Sequence, residues 1–438
     1  MADKLSEAGS RFLRRRAVIV GLLAILTIYG FEAHARNREH STAAILGDQD
    51  AYLSYARHLY ESNYTVTEDR NRMPVYPFLL SLIYRPGMSE GEFLVRAQTF
   101  TVTLSILLLA LLFLILSKFF PPLSALGLLA ATAFGVFIYR AGKAQAEILF
   151  YFVSFYAFVL LLQLFVRPRP WFAILAGATT GLAHLTKASV LPGLAIWAGV
   201  FGVGIIWASR AERWRRLATL ALVIVAFFAV IFPYIQTSKR IYDSWFYNVN
   251  STFVMWCDSS TEAFEFLSAH GDKDQWREVP PEERPSLRKY WREHTIAQMV
   301  RRISSGAPDL MTKNLRVIAY YKFVLVLLIT GVVLCVWRRR STRELFAEHR
   351  FAVIFNVLFF TAYFVLYAWY DKIINDARFV LSIFLPFVFA VSLFVLRLGR
   401  DRMVSIAGHA FRFDEFFGGL ILGLSMIDVL YNAPGLFR

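Results

Sequence analysis

Two carboxylates and two arginines stand close together early in the chain. They are Asp48, Asp50, Arg70 and Arg72, in the stretch GDQDAYLSYARHLYESNYTVTEDRNRMPVYPFLLSLIY over 47–84. A positioned carboxylate can take a proton from a hydroxyl. An arginine fork can hold a phosphate bidentately, and a lysine can hold one as a point charge. Similar residues recur far downstream, at Arg140, Lys143 and Glu147, at Lys187, and at Asp371, Lys372, Asp376 and Arg378. Together these types suit a reaction in which a carboxylate is the base and a lipid phosphate is ligand or leaving group. Each also has a plainer reading. Asp48 or Asp50 could cap a helix, Lys187 could snorkel to an interface, Glu147 could flank a span, and Arg70 and Arg72 could be a solvated pair. Asp48-Gln49-Asp50 matches the short D-x-D pattern of metal-dependent nucleotide-sugar enzymes. Carboxylates alone do not establish a metal site, so a divalent cation here stays open.

The elements that must hold these residues are apolar helices. Of 438 residues 57% are hydrophobic and 18% charged, and the mean hydropathy is +0.48, which excludes a soluble globular chain. A span needs about 20 apolar residues. Runs of that kind fall at 17–33, 97–116, 123–139, 148–166, 171–185, 190–207, 217–235, 317–337, 351–370, 379–398 and 416–431, about eleven in all. The fold class read from this pattern is an all-α polytopic membrane protein. The run at 74–84 is too short to cross and suits an interface. Over 50–60, Leu53, Ala56, Leu59 and Tyr60 share one face of an amphipathic interfacial helix. The organisation expected is an N-terminal membrane module over 1–235 with its first loop at 34–95, a polar loop subdomain over 236–316, and C-terminal spans over 317–438.

The net charge of +15 does not argue for nucleic acid. Lys and Arg cluster in short loops such as 167–169, 210–216 and 338–340, as orientation in a membrane requires, and no nucleic-acid motif accompanies them. RFLRRR over 11–16 places the N-terminus in the cytoplasm, and Glu32 and His34 follow the first apolar run where a cleavage site would need small residues. Under that topology the candidate residues share one face, the extracytoplasmic side of a cell membrane. The turn with Arg140 and Lys143 breaks the charge rule, which marks those cations as candidates. The two cysteines, Cys257 and Cys335, lie in a polar loop and an apolar run and predict neither a disulfide nor a thiol metal site.

On these motifs the chain resembles the GT-C superfamily of membrane glycosyltransferases, in the branch of protein O-mannosyltransferases and lipid A aminoarabinose transferases. Asp48, Tyr52, Ala56 and Leu59 match the family's D-x-x-x-Y-x-x-x-A-x-x-L helix. Arg72-Met73-Pro74-Val75-Tyr76-Pro77 resembles its R-P-P-x-Y-P run, with Met73 in place of a proline. Gln145-Ala146-Glu147, the G-L-x-x-L-T-K frame ending at Lys187, and Asp376-Ala377-Arg378-Phe379 with Pro386 resemble three later motifs. The resemblance implies a GT-C-like bundle of about eleven transmembrane helices with extracytoplasmic interfacial helices. It implies an inverting transfer of a sugar from a polyprenyl-phosphate donor to an acceptor hydroxyl on a glycan, lipid or protein, with the bilayer as the other partner. The frame favours Asp48 as the base and leaves Asp50 second. It gives Glu147 the orienting of acceptor or sugar. Lys187 and Arg378 lead among the residues expected at the phosphate and sugar, with Arg72, Tyr76, Arg140 and Lys143. No cofactor is implied. A lipid or sugar transporter and a non-catalytic envelope-assembly subunit are the alternatives. The first would show internal repeats, which the chain lacks, and the second would tolerate loss of Asp48.

Overall fold

The structure, a computed structural model, describes residues 2–40, 47–65, 71–270, 279–314, 321–374, 376–406 and 408–432. Arg70 lies outside the described residues. The chain is almost entirely helical. A long α1 (Ala2–His40) is followed by two short helices, α2 (Asp48–Glu61) and α3 (Val75–Ser81). Then come α4 (Glu90–Leu116), α5 (Pro122–Gly135), α6 (Glu147–Val166), α7 (Pro170–Thr186), α8 (Leu191–Ile206) and α9 (Arg210–Tyr242). Four shorter helices follow: α10 (Val249–Thr252), α11 (Ser260–His270), α12 (Leu287–Glu293) and α13 (Ile296–Asp309). The chain ends with α14 (Tyr321–Trp337), α15 (Arg339–Glu348), α16 (Arg350–Tyr370), α17 (Arg378–Gly399), a hairpin of β1 (Met403–Ile406) and β2 (His409–Arg412), and α18 (Phe413–Asn432).

Among the described residues eight helices are long and apolar enough to cross a membrane, or nine if α14 and α15, bent by 105° from each other, form one span. The protein is therefore an all-α, multi-pass membrane protein. Pro122 and Pro170 open α5 and α7, where a missing N–H is harmless and the fixed φ is already helical. A capping box of Ser89 and Glu92 opens α4. α5 and α6 are the most enclosed of the crossing helices, and α1, α9 and α16 the most lipid-exposed.

Helices that gain little from the hydrophobic effect in lipid must associate by close fit. α7 meets α9 through Gly177 and Gly181, one turn apart. A Cβ on Gly177 would stand 2.2 Å from the Val223 carbonyl oxygen, and one on Gly181 2.8 Å from Val230 Cβ. Buried Trp197 of α8 keeps its indole N–H satisfied on the Leu161 carbonyl of α6 at 2.9 Å.

Several boundaries differ from the sequence reading. α9 continues to Tyr242, past the expected end at 235, and closes with Lys239 and Arg240 in its last turn, the favourable end of a helix for cations. The amphipathic helix begins at Asp48 and buries Tyr52, Leu53, Tyr55, Ala56 and Leu59, while Tyr60 is exposed and packs its edge on Tyr84. The β1–β2 hairpin was not expected. The segment of α10–α13 docks on the end of α16. Gly306 there leaves room for a backbone approach in which a Cβ would stand 2.0 Å from the Ala368 carbonyl oxygen. Arg302 stacks on Trp369, 4.3 Å from its ring centre.

Candidate functional site

Five helix ends meet at one end of the bundle, and each brings a charge. α2 starts at Asp48 after Gly47, whose φ of 66° is left-handed and unstrained only without a side chain. α6 starts at Glu147, and both acids thus sit at the positive end of a helix dipole. Lys187 caps the C-terminus of α7, the favourable end for a cation. Arg140 follows the short turn after α5, and Arg378 opens α17. A cation at a helix N-terminus opposes the dipole, and Arg378 is accordingly surrounded by carboxylates.

Its Nη1 lies 2.6 Å from Asp48 Oδ2 and 3.6 Å from Glu147 Oε1, and its Nε 3.4 Å from Asp376 Oδ2. Its backbone N–H donates to Asp376 Oδ1 at 2.8 Å, and its carbonyl accepts from the Tyr151 hydroxyl at 3.0 Å. Arg72 Nη2 donates to the other Asp48 oxygen at 2.8 Å. Arg140 Nη2 donates to Asp376 Oδ1 at 2.5 Å, and Lys187 Nζ to Glu147 Oε1 at 2.7 Å. The Gln49 side chain accepts the Ala144 N–H at 2.9 Å, tying the start of α2 to the turn that carries Arg140 and Lys143.

Exposure separates the carboxylates. The Asp48 side chain is 31% exposed and can meet a substrate, whereas that of Glu147 is 1% exposed and is paired with Lys187 and Arg378. Burial acts to raise the pKa of Asp48, but the charges and hydrogen bonds of Arg378 and Arg72 outweigh it and hold the carboxyl below the usual carboxylate range. Asp376 is likewise driven up by burial and down, on balance, by Arg140 and Arg378. Burial lowers the pKa of Lys187 despite Glu147, and burial with Arg140 lowers that of Lys143.

The structure brings together Asp48, Arg72, Arg140, Lys143, Glu147, Lys187 and Arg378 of the residues singled out in the sequence. Lys372 pairs instead with Asp309 at 3.5 Å, and two of the residues given a role in the site stand apart from the network. Asp50 is exposed and makes no ion pair among the described residues. Tyr76 is fully buried, with its hydroxyl on Thr101 at 2.6 Å and its ring edge-on to Tyr52 at 5.3 Å, so it fastens α3 to α2 and α4. Asp376, one of the carboxylates the sequence offers, is central, and Gln49 joins α2 to the Arg140 turn. The Asp376-Ala377-Arg378 motif carried the first signal, and nothing in the sequence carried the second. Among the described residues no three His, Cys, Asp or Glu side chains form a group that could hold a metal ion. Arg378 lies between the three carboxylates of the cluster.

No family model, curated protein or solved structure matches this chain.

Proposed function

We propose that the protein is an integral-membrane glycosyltransferase of GT-C-like architecture, in which α7, α14 and α18 complete eleven crossing helices. It moves a sugar from a polyprenyl-phosphate donor to an acceptor hydroxyl at the membrane face that carries the ionic cluster. The observation that carries this reading is a reachable, ionised carboxylate, Asp48, set among the described residues in a cluster of five cations and three carboxylates. Asp48 takes the proton of the acceptor hydroxyl. The acceptor oxygen attacks the anomeric carbon from the face opposite the phosphate, and the bond from that carbon to the phosphate oxygen breaks. Its electron pair stays on the polyprenyl monophosphate, which leaves, and the sugar inverts. Stabilising the charge that develops on the leaving phosphate is the main electrostatic task.

A carboxylate gripped by two guanidiniums is a weak base. An incoming phosphate competes for Arg378 and Arg72, loosens that grip and raises the basicity of Asp48 as the reactants assemble. Glu147, out of substrate reach, holds Lys187 and Arg378 in place. The exposed arginines at the far end of the bundle, among them Arg167, Arg169, Arg339, Arg340 and Arg400, support a cytoplasmic far end and an extracytoplasmic site in the cell membrane. The helices α10–α13 beside the site suit the acceptor, whether glycan, lipid or protein. The reading needs no cofactor, and a divalent cation is a question for assay.

The test is donor consumption by purified protein in lipid nanodiscs. A panel of polyprenyl-phosphate sugars is supplied with an envelope extract as acceptor source, with Asp48→Asn alongside. One donor is expected to be consumed by the parent, and about 10²–10⁴-fold more slowly by the variant, the usual worth of a positioned base. Equal rates in the two, or no consumption of any donor by the parent, would overturn the reading.

A further inference from the structure

Every cation of the cluster but one has a carboxylate. Arg72 has Asp48, Arg140 has Asp376, Lys187 has Glu147, and Arg378 touches all three. Lys143 is half-buried and has no carboxylate within 4.0 Å and no hydrogen bond from its ammonium among the described residues. Its backbone, by contrast, is fixed. Its N–H donates to the Arg140 carbonyl at 3.2 Å, its carbonyl accepts from Gln145 N–H at 2.9 Å, and the next N–H, of Ala144, is bonded to Gln49. The turn is held in register with Asp48, one residue from Gln49, while the ammonium it carries contacts no carboxylate among the described residues and feels Asp376 and Glu147 only from farther off.

An unmatched cation in a partly buried site is costly, and the cost falls when an anion arrives. Burial and the neighbouring Arg140 already press Lys143 toward losing its proton, which an anion would reverse. Among the described residues the cluster carries five cations against three carboxylates, a surplus of two positive charges. That surplus matches a phosphomonoester, which approaches two negative charges at neutral pH, better than a phosphodiester, which carries one.

We infer that Lys143 is the anchor of a phosphomonoester at this site, and that the cluster holds the leaving polyprenyl monophosphate more tightly than the donor diester. The inference rests on the proposed transferase reading and reorders its cations. Lys187 and Arg378, first in the sequence reading, already engage carboxylates, whereas Lys143 contacts none among the described residues and anchors the ligand, for which Arg378 and Arg72 then compete with Asp48.

The experiment measures binding of a fluorescent polyprenyl monophosphate to the full chain in nanodiscs, with neutral polyprenol and inorganic phosphate as controls. Lys143→Ala is expected to weaken monophosphate binding about ten- to hundredfold, the worth of one charge-assisted hydrogen bond, and to leave polyprenol binding as in the parent. Lys143→Arg, which keeps the charge, is expected to retain most of the affinity. Lys143→Met, close in length and apolar, decides the matter if the alanine variant does not purify. Affinity equal to the parent's in both uncharged variants overturns the anchor and leaves the transferase reading standing. A parent that binds no monophosphate overturns both. Displacement of the lipid by inorganic phosphate at equal concentration would keep Lys143 as the anchor but make free phosphate its ligand, and absence of displacement assigns it to the lipid headgroup.

Discussion

The two ends of the bundle are both rich in arginine, and they use it in opposite ways. At the far end Arg340 pairs with Glu344 one turn away, the two side chains 92% and 64% exposed, and Arg339 and Arg400 stand in the open. At the site end Arg72 and Arg378 are 9% and 17% exposed, and their shared partner Asp48 comes from 24 and 330 residues away in sequence. A solvated arginine reports on which side of a membrane a loop lies. A buried one bonded to a distant carboxylate reports on a geometry the fold was built to hold. The residue type is the same, and burial with partner distance decides which role it has.

The largest effect outside the transfer step itself is expected at Glu147. Replacing it by Ala leaves Lys187 without its carboxylate and Arg378 with one fewer, in a place where water cannot compensate. Breaking a buried pair from one side costs about 3–5 kcal/mol, so the thermal melt in detergent should fall steeply. Glu147→Gln, which keeps an acceptor for Lys187, should fall less. A melt unchanged in Glu147→Ala would mean that the site end is no more tightly built than the far end.

The acid limb should come next. Asp48 and Asp376 have depressed pKa values in the folded protein, so the stability they lend is complete above the unfolded carboxylate value of about 3.9. It is lost as the pH falls through their folded values. From pH 5 to 8 these two acids should leave the melting temperature flat, and below about pH 4 it should drop. Asp48→Asn should drop less steeply there. An equally steep drop in that variant would place the acid sensitivity elsewhere, for instance at exposed far-end pairs.

How much of this was legible depended on the range over which each signal acts. The helices were legible because apolar runs and proline starts are local, and Pro122 and Pro170 mark their elements directly. The site was legible as a list of residues because ionisable groups at span edges are costly enough to be noticed one at a time. Their pairing was not. Nothing near Asp376 says that it belongs to Arg140, 236 residues earlier, and nothing near Lys143 says that its ammonium contacts no carboxylate among the described residues. Those facts arise only when five helix ends are brought together. Tyr76 shows the converse error, since it stands in a motif rich in site residues while its own hydroxyl is spent on Thr101. Gly177 and Gly181 likewise reveal their purpose only against the α9 backbone.

The smallest effect should be at Arg340, and it sharpens the contrast most. Its pair with Glu344 is held by two long, solvated side chains whose mutual attraction water and salt screen, so Arg340→Gln should leave both melt and turnover unchanged within error. Orientation should survive as well, because Arg338, Arg339 and Arg343 stand beside it and the membrane reads the sum of such charges. The same change at the other end, Arg378→Gln, removes the group that touches Asp48, Glu147 and Asp376 together and should abolish turnover. Measuring both variants in one donor-consumption assay puts equal chemistry in two environments. Equal losses would show that burial and distant partners do not distinguish the two ends, and the assignment of the site to this cluster would fall with that distinction.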